Sequence, residues 1–178
     1  MATTYSGTVG LSIILREVLT GALRTGGPLE RAITESLDLA PGTLDGQINQ
    51  AFAQTQTGIG ASVTTVYDLI GSLKDTEGNT LNFDEVVLVA VRNRSSTAAN
   101  FLLVGPDVSA GFGVLGANVG FWNDATDRSV VAASSWTVMY CPAGVPAAAG
   151  TTDELAVITA GGTSANAWDI MIFGRDNP

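Results

Sequence analysis

Any chemistry this chain performs must do without histidine: its 178 residues contain none, and Cys141 is the single cysteine. Ser-His-Asp and Cys-His nucleophiles, His-ligated zinc, cysteine clusters and an internal disulfide are therefore excluded by composition. Carboxylates remain, and two of them in different environments can act as acid and base. Asp84 with Glu85, Asp124 with Asp127, and Asp153 with Glu154 are the candidate pairs. Adjacent residues of a strand point to opposite faces, which weakens the first and third. Asn123-Asp124-Ala125-Thr126-Asp127 offers oxygen ligands for calcium but lacks EF-hand spacing, and reads more simply as an Asx-type turn. Ser72 and Lys74 have the residue types of a Ser-Lys nucleophile pair, yet nothing beside them marks an oxyanion hole. Gly111-Phe112-Gly113-Val114-Leu115-Gly116 fits the G-x-G-x-x-G phosphate cradle in letters only, because Ala117–Asp124 after it is no helix former. Asn93-Arg94-Ser95 is a glycosylation sequon without a secretion signal beside it, and Cys141, before Pro142, reads as a small apolar side chain. An enzyme is not expected, and neither a cofactor nor a metal.

Charge narrows the partners. Eight basic residues against seventeen acidic ones leave a net charge of −9. Tracking a nucleic-acid backbone or an anionic membrane needs basic patches, so neither partner is expected. Apolar residues make up 46% of the chain and charged ones only 14%, well under the roughly 25% of an ordinary domain. No apolar run approaches the ~18 residues of a membrane span. The uncharged Met1–Thr8 does not resemble the start of a signal peptide. So apolar a surface suits a protein covered by partner subunits, although abundant Ala and Gly also raise the mean hydropathy.

The elements that would position these residues are strands. Leu81–Arg92 begins with alternation and turns apolar on both faces from Val86 to Val91, the mark of a central strand. Asp75–Asn79 is a turn, and Tyr67–Leu73 before it makes a plausible hairpin. Asn100–Val104, Arg128–Ala132, Trp136–Cys141, Glu154–Thr159 and Ala167–Phe173 follow as strands, separated by Gly/Pro turns and no helix. Leu29–Leu39 and Gln47–Thr57 read as extended segments around the turn Ala40-Pro41-Gly42. The fold class is mainly β, an antiparallel β-sandwich or jelly-roll-like domain over residues 28–178. Residues 1–27 form an arm or first element. Leu11, Ile14, Leu15, Val18 and Leu19 have the spacing of an amphipathic helix, while Val9, Leu11, Ile13 and Leu15 alternate as a strand would. Both frames stay open for residues 11–24.

Two sets of apolar residues are candidate partner contacts. One is the arm stripe Leu11, Ile14, Leu15, Val18 and Leu19. The other is Phe112, Phe121 and Trp122 in the Gly-rich segment Gly105–Asn123, where a long loop carrying aromatics suits an anchor role. Trp136, Tyr140 and Trp168, at strand positions, are expected in the core.

Two stretches resemble a known group. Tyr67–Ser95 (YDLIGSLKDTEGNTLNFDEVVLVAVRNRS) and Ala149–Asp176 (AGTTDELAVITAGGTSANAWDIMIFGRD) are similar to small virion structural proteins of tailed bacteriophages and prophages. Leu69, Gly71, Ser72, Leu73, Asp75, Arg92, Asn93 and Ser95 carry the first part. Ala149, Gly150, Thr151, Asp153, Leu155, Asp169 and Ile170 carry the second. Gly46–Ser62 matches loosely and Met1–Thr25 hardly at all. The resemblance implies a β-sandwich on the virion, most simply a capsid decoration or cement protein. Its partners would be the major capsid protein and copies of itself. A tail or fibre component that binds a host glycan is the alternative. The group's pattern offers no catalytic residues to transfer.

Overall fold

The computed structural model describes residues 7–17, 29–114, 120–162 and 165–176, the stretches up to residue 37 by their backbone. The described residues form thirteen strands: β1 (Gly7–Glu17), β2 (Leu29–Pro41), β3 (Gln47–Ile48), β4 (Gln50–Ile59), β5 (Thr64–Asp68), β6 (Ile70–Lys74), β7 (Thr80–Asn82), β8 (Glu85–Asn93), β9 (Phe101–Pro106), β10 (Ser129–Val131), β11 (Trp136–Pro146), β12 (Glu154–Ala160) and β13 (Asn166–Arg175). Two four-stranded sheets, β11-β8-β13-β4 and β10-β9-β12-β5, hold eight of them, and every pairing within them is antiparallel. Successive strands pass between the sheets in the order of two Greek keys, which is the jelly roll.

The core lies between the sheets because one set of alternating side chains on each strand is apolar. On β13, Trp168, Ile170 and Ile172 are buried and meet Phe52 of β4 and Val89 and Val91 of β8 from the same sheet. Tyr67, Leu102, Val104, Leu155 and Val157 close on them from the facing sheet. Each such side chain stabilises the fold by roughly 1.5–3 kcal/mol. The Trp168 indole donates a hydrogen bond to the Tyr67 hydroxyl at 3.0 Å, so the largest core ring leaves no polar group unpaired. Burial is the main reason that the Tyr67 hydroxyl titrates above its ordinary value. β8 is buried on both faces, as its apolar run requires: Val86, Val89 and Val91 face the main core, while Val87, Leu88 and Ala90 pack with Leu39 and Ile48.

The strand lengths correct the expected hairpin. The turn at Asp75–Asn79 is present, with Gly78 at φ +88° and the Asp75 carboxylate accepting the amides of Glu77 and Asn79. It joins only β6 to β7. Tyr67 belongs to β5 and pairs with Leu155 of β12, and Glu85–Asn93 pairs with β11 and β13 instead. Of the two frames open for the N-terminal segment, the backbone takes the strand over Gly7–Glu17; Val18 and Leu19 lie outside the described residues. β1 pairs with β2 from Gly7↔Leu39 to Glu17↔Leu29, so the element that starts in the arm continues past residue 28 to Pro41. Beyond each other, these two strands join the rest of the fold chiefly where Ala40 and Pro41 run parallel to β3.

Arg175 locks that junction. Its side chain is fully buried, and its guanidinium pairs with Glu85 at 2.6 Å. It also donates to the carbonyls of Leu44 and Ala143. One cation thereby joins the β2–β3 loop, the start of β8 and the bulged end of β11.

Candidate interaction face

The outer face of the β11-β8-β13-β4 sheet is built in cross-strand rows. Register places Trp136, Arg92, Asp169 and Thr55 in one row, and Val138, Ala90, Met171 and Ala53 in the next. Tyr140, Leu88, Phe173 and Ala51 make the third. An outer sheet face is ordinarily polar, but two of these three rows are apolar. The Leu39–Ile48 segment covers part of the face around Leu88. The β11 edge stays open: Trp136 is 51% exposed, Val138 47% and Tyr140 39%. Trp136 and Tyr140 were expected in the core, and this is where the structure overturns the reading. Only Trp168 is buried there. Trp136, Val138 and Tyr140 alternate with Thr137, Met139 and Cys141, so both faces of the strand carry apolar residues. The core takes the set containing Met139 and Cys141.

The first row is polar around one aromatic. The Arg92 guanidinium lies 5.4 Å from the centroid of the Trp136 ring, within cation–π range. Asp169 accepts from the Thr55 hydroxyl at 2.7 Å and pairs with Arg94 at 3.4 Å. Trp136, Asp169, Thr55 and Met171 line a shallow hollow of about 300 Å³.

The aromatic loop set resolves differently from expectation. Phe112 is fully buried and Trp122 nearly so, both within the main core, and Phe121 packs against it half-buried. The segment closes on itself: the amides of Phe121 and Trp122 both donate to the Gly113 carbonyl. Gly113, at φ +84°, sits so near the Trp122 ring that a Cβ would lie 2.6 Å from it. Phe112 and Trp122 therefore spend their area inside this chain and cannot anchor a partner. Gly113 serves this packing, and among the described residues from Gly120 onward no helix is present to hold a phosphate. In the arm set, Leu11, Ile14 and Leu15 lie on β1, whose backbone pairs with β2.

The carboxylates are committed to local structure. Asp127 accepts the amides of Asn123 and Asp124, and Asp124 accepts the amide and hydroxyl of Thr126. Those bonds, the Thr126 hydroxyl first, hold the Asp124 carboxyl below its ordinary range. Among the described residues no group of three or more acidic or cysteine side chains is placed to hold a metal. Asp153 accepts the Gly150 amide, and Glu85 is taken by Arg175. Ser72 donates to Asp68 while Lys74 donates to Thr80, so the two are engaged with other partners. The sequon residue Asn93 is fully buried, its amide nitrogen donating to the carbonyls of Asn100 and Val131. Reading the sequence alone misses one juxtaposition, because Glu154 is far from the other two residues in it: the Ser109 hydroxyl lies 2.8 Å from Asp107 and 2.7 Å from Glu154. Burial pushes the Asp107 carboxyl up, but bonds from Ser109 outweigh it and hold the group below its usual range.

No protein-family model and no curated protein matches this chain. Among solved structures it is similar to a chain from work on Bacillus endospore appendages, described as a novel family of disulfide-linked pili. Identity is 9% and the TM-score 0.37, with 71% of this chain and 87% of that chain covered. A likeness at that level carries no argument about function.

Proposed function

We propose that this chain is a structural assembly subunit, in the form its sequence resemblance implies: a decoration or cement protein of a tailed-phage head. It would bind the major capsid protein lattice and neighbouring copies, and reside on the virion. The observation that carries the reading is the open apolar row Trp136, Val138, Tyr140 on a sheet face that has no structural need to be apolar. Support also comes from the β1–β2 hairpin, whose described backbone pairing to the rest of the fold runs through β3, because a two-stranded ribbon is marginal in water and gains stability from a partner. Many copies on one lattice would add avidity to modest single contacts. The test is co-sedimentation with shells of purified major capsid protein. Saturable binding, weakened by Trp136→Ala, is expected; no binding at any ratio would overturn the reading.

A second reading, a tail or fibre component that recognises a host glycan, is favoured by the hollow beside Trp136. An exposed indole next to Asp169 and Thr55 has the parts for stacking and hydrogen bonding a sugar. Retention on a host-polysaccharide array, lost in Trp136→Ala, would select this reading over the first.

A further inference from the structure

β11 and β4 are the two edges of one sheet, and their outer rows are complementary in size. β11 presents Trp136, Val138 and Tyr140, all large and open, while β4 presents Ala53, Thr55 and Thr57, all small and exposed. Neither Trp136–Tyr140 nor Ala53–Thr57 contains a charge or a proline, the usual guards of an edge strand. Guards stand beside these stretches, Lys74 among them across a hollow lined by Ala53, Gln54 and Gln56. Pro142 and Pro146 interrupt β11 further on, and Lys74 and Asp75 flank the Ala51–Ala53 end of β4. Direction also fits. Three successive antiparallel pairings set β11 and β4 antiparallel to each other, so a second copy brought alongside by simple translation pairs antiparallel too.

We infer that copies of this chain associate head to tail, the Trp136–Tyr140 edge of one adding to the Ala53–Thr57 edge of the next. The occupant of the open apolar row is thus a second copy. Large rings would lie over small residues as cross-strand neighbours, and the unpaired backbone groups of both edges would be satisfied. The contact is heterologous, so it repeats into a ring or an open row rather than stopping at a dimer. Five residues a side make a small interface, and association should be weak and strongly concentration-dependent. The inference deepens the assembly reading but does not require a shell. A protein that forms such rows and ignores capsids would leave it standing while sinking the decoration proposal.

Sedimentation velocity of the full chain, from micromolar to millimolar concentration, tests it with Val138→Lys and Thr55→Lys. Both sites are exposed, so unfolding midpoints should match the parent. The parent should grow beyond a dimer with concentration, and each variant alone should remain a monomer. Mixed in equal amounts, the variants retain one good edge each and should form dimers and stop there. A parent monomeric throughout, a variant that assembles like the parent, or a mixture that stays monomeric would each overturn the inference.

Discussion

At the scale of single residues, Arg175 shows how a polar group becomes structural. A buried guanidinium is tolerated because Glu85 and two backbone carbonyls receive it. Removing the carboxylate alone leaves a buried charge short of its partner, an arrangement that costs about 3–5 kcal/mol in comparable cases. Glu85→Ala should lower the thermal unfolding midpoint more than Arg175→Met does, and the double variant should recover part of the Glu85→Ala loss. Asp176 behaves oppositely. Burial, and then the nearby Asp84 carboxylate, raise its pKa. A raised folded-state pKa favours the fold below the unfolded value, and that contribution disappears as pH rises through the folded one. Asp176→Asn should therefore stabilise the protein at pH 7 and leave it nearly unchanged at pH 3. Midpoints measured across that interval check the sign; a larger gain at the acid end would contradict it.

At the scale of elements, the N-terminal hairpin is separable from the jelly roll in a way that its strand lengths alone do not show. Leu39 is buried with Ile48, and the Arg175 clasp reaches Leu44, so the hairpin's attachment begins near residue 39. Deleting residues 2–36 should keep cooperative unfolding and the β spectrum in circular dichroism while abolishing capsid co-sedimentation. Binding that persists undiminished would remove the hairpin from the proposed role. The same scale explains what could be read in advance. β8 was legible because an unbroken β-branched run has one comfortable place, the middle of a sheet. The later strands were legible from their Gly/Pro boundaries. The orientation of β11 was not, because both of its alternating sets are apolar and periodicity cannot choose between them. Phe112 and Trp122 were misread for a related reason: glycine-rich sequence suggests an open loop, whereas Gly113 is there to admit the Trp122 ring. The Ser109 bridge between Asp107 and Glu154 needed the tertiary fold to exist at all.

At the scale of the whole molecule, assembly sets two forces against each other. Each copy carries a net charge of −9, and that charge repels every neighbour brought edge to edge. The contacting edges are uncharged, so the attraction is apolar and backbone in origin and salt leaves it largely intact. Screening acts on the repulsion alone, with a Debye length falling from about 10 Å at 0.1 M to about 3 Å at 1 M. Association of the purified chain should therefore strengthen with added sodium chloride. It should strengthen again as pH falls from 7 towards the isoelectric point near 4.2, where the repelling charge vanishes. An interface held by ion pairs would show the reverse in salt, weakening as they are screened. Sedimentation at fixed protein concentration over a salt series separates the two, and Val138→Lys supplies the internal control. If salt drives the parent into larger species but leaves that variant monomeric, the growth runs through the β11 edge and is not general salting-out.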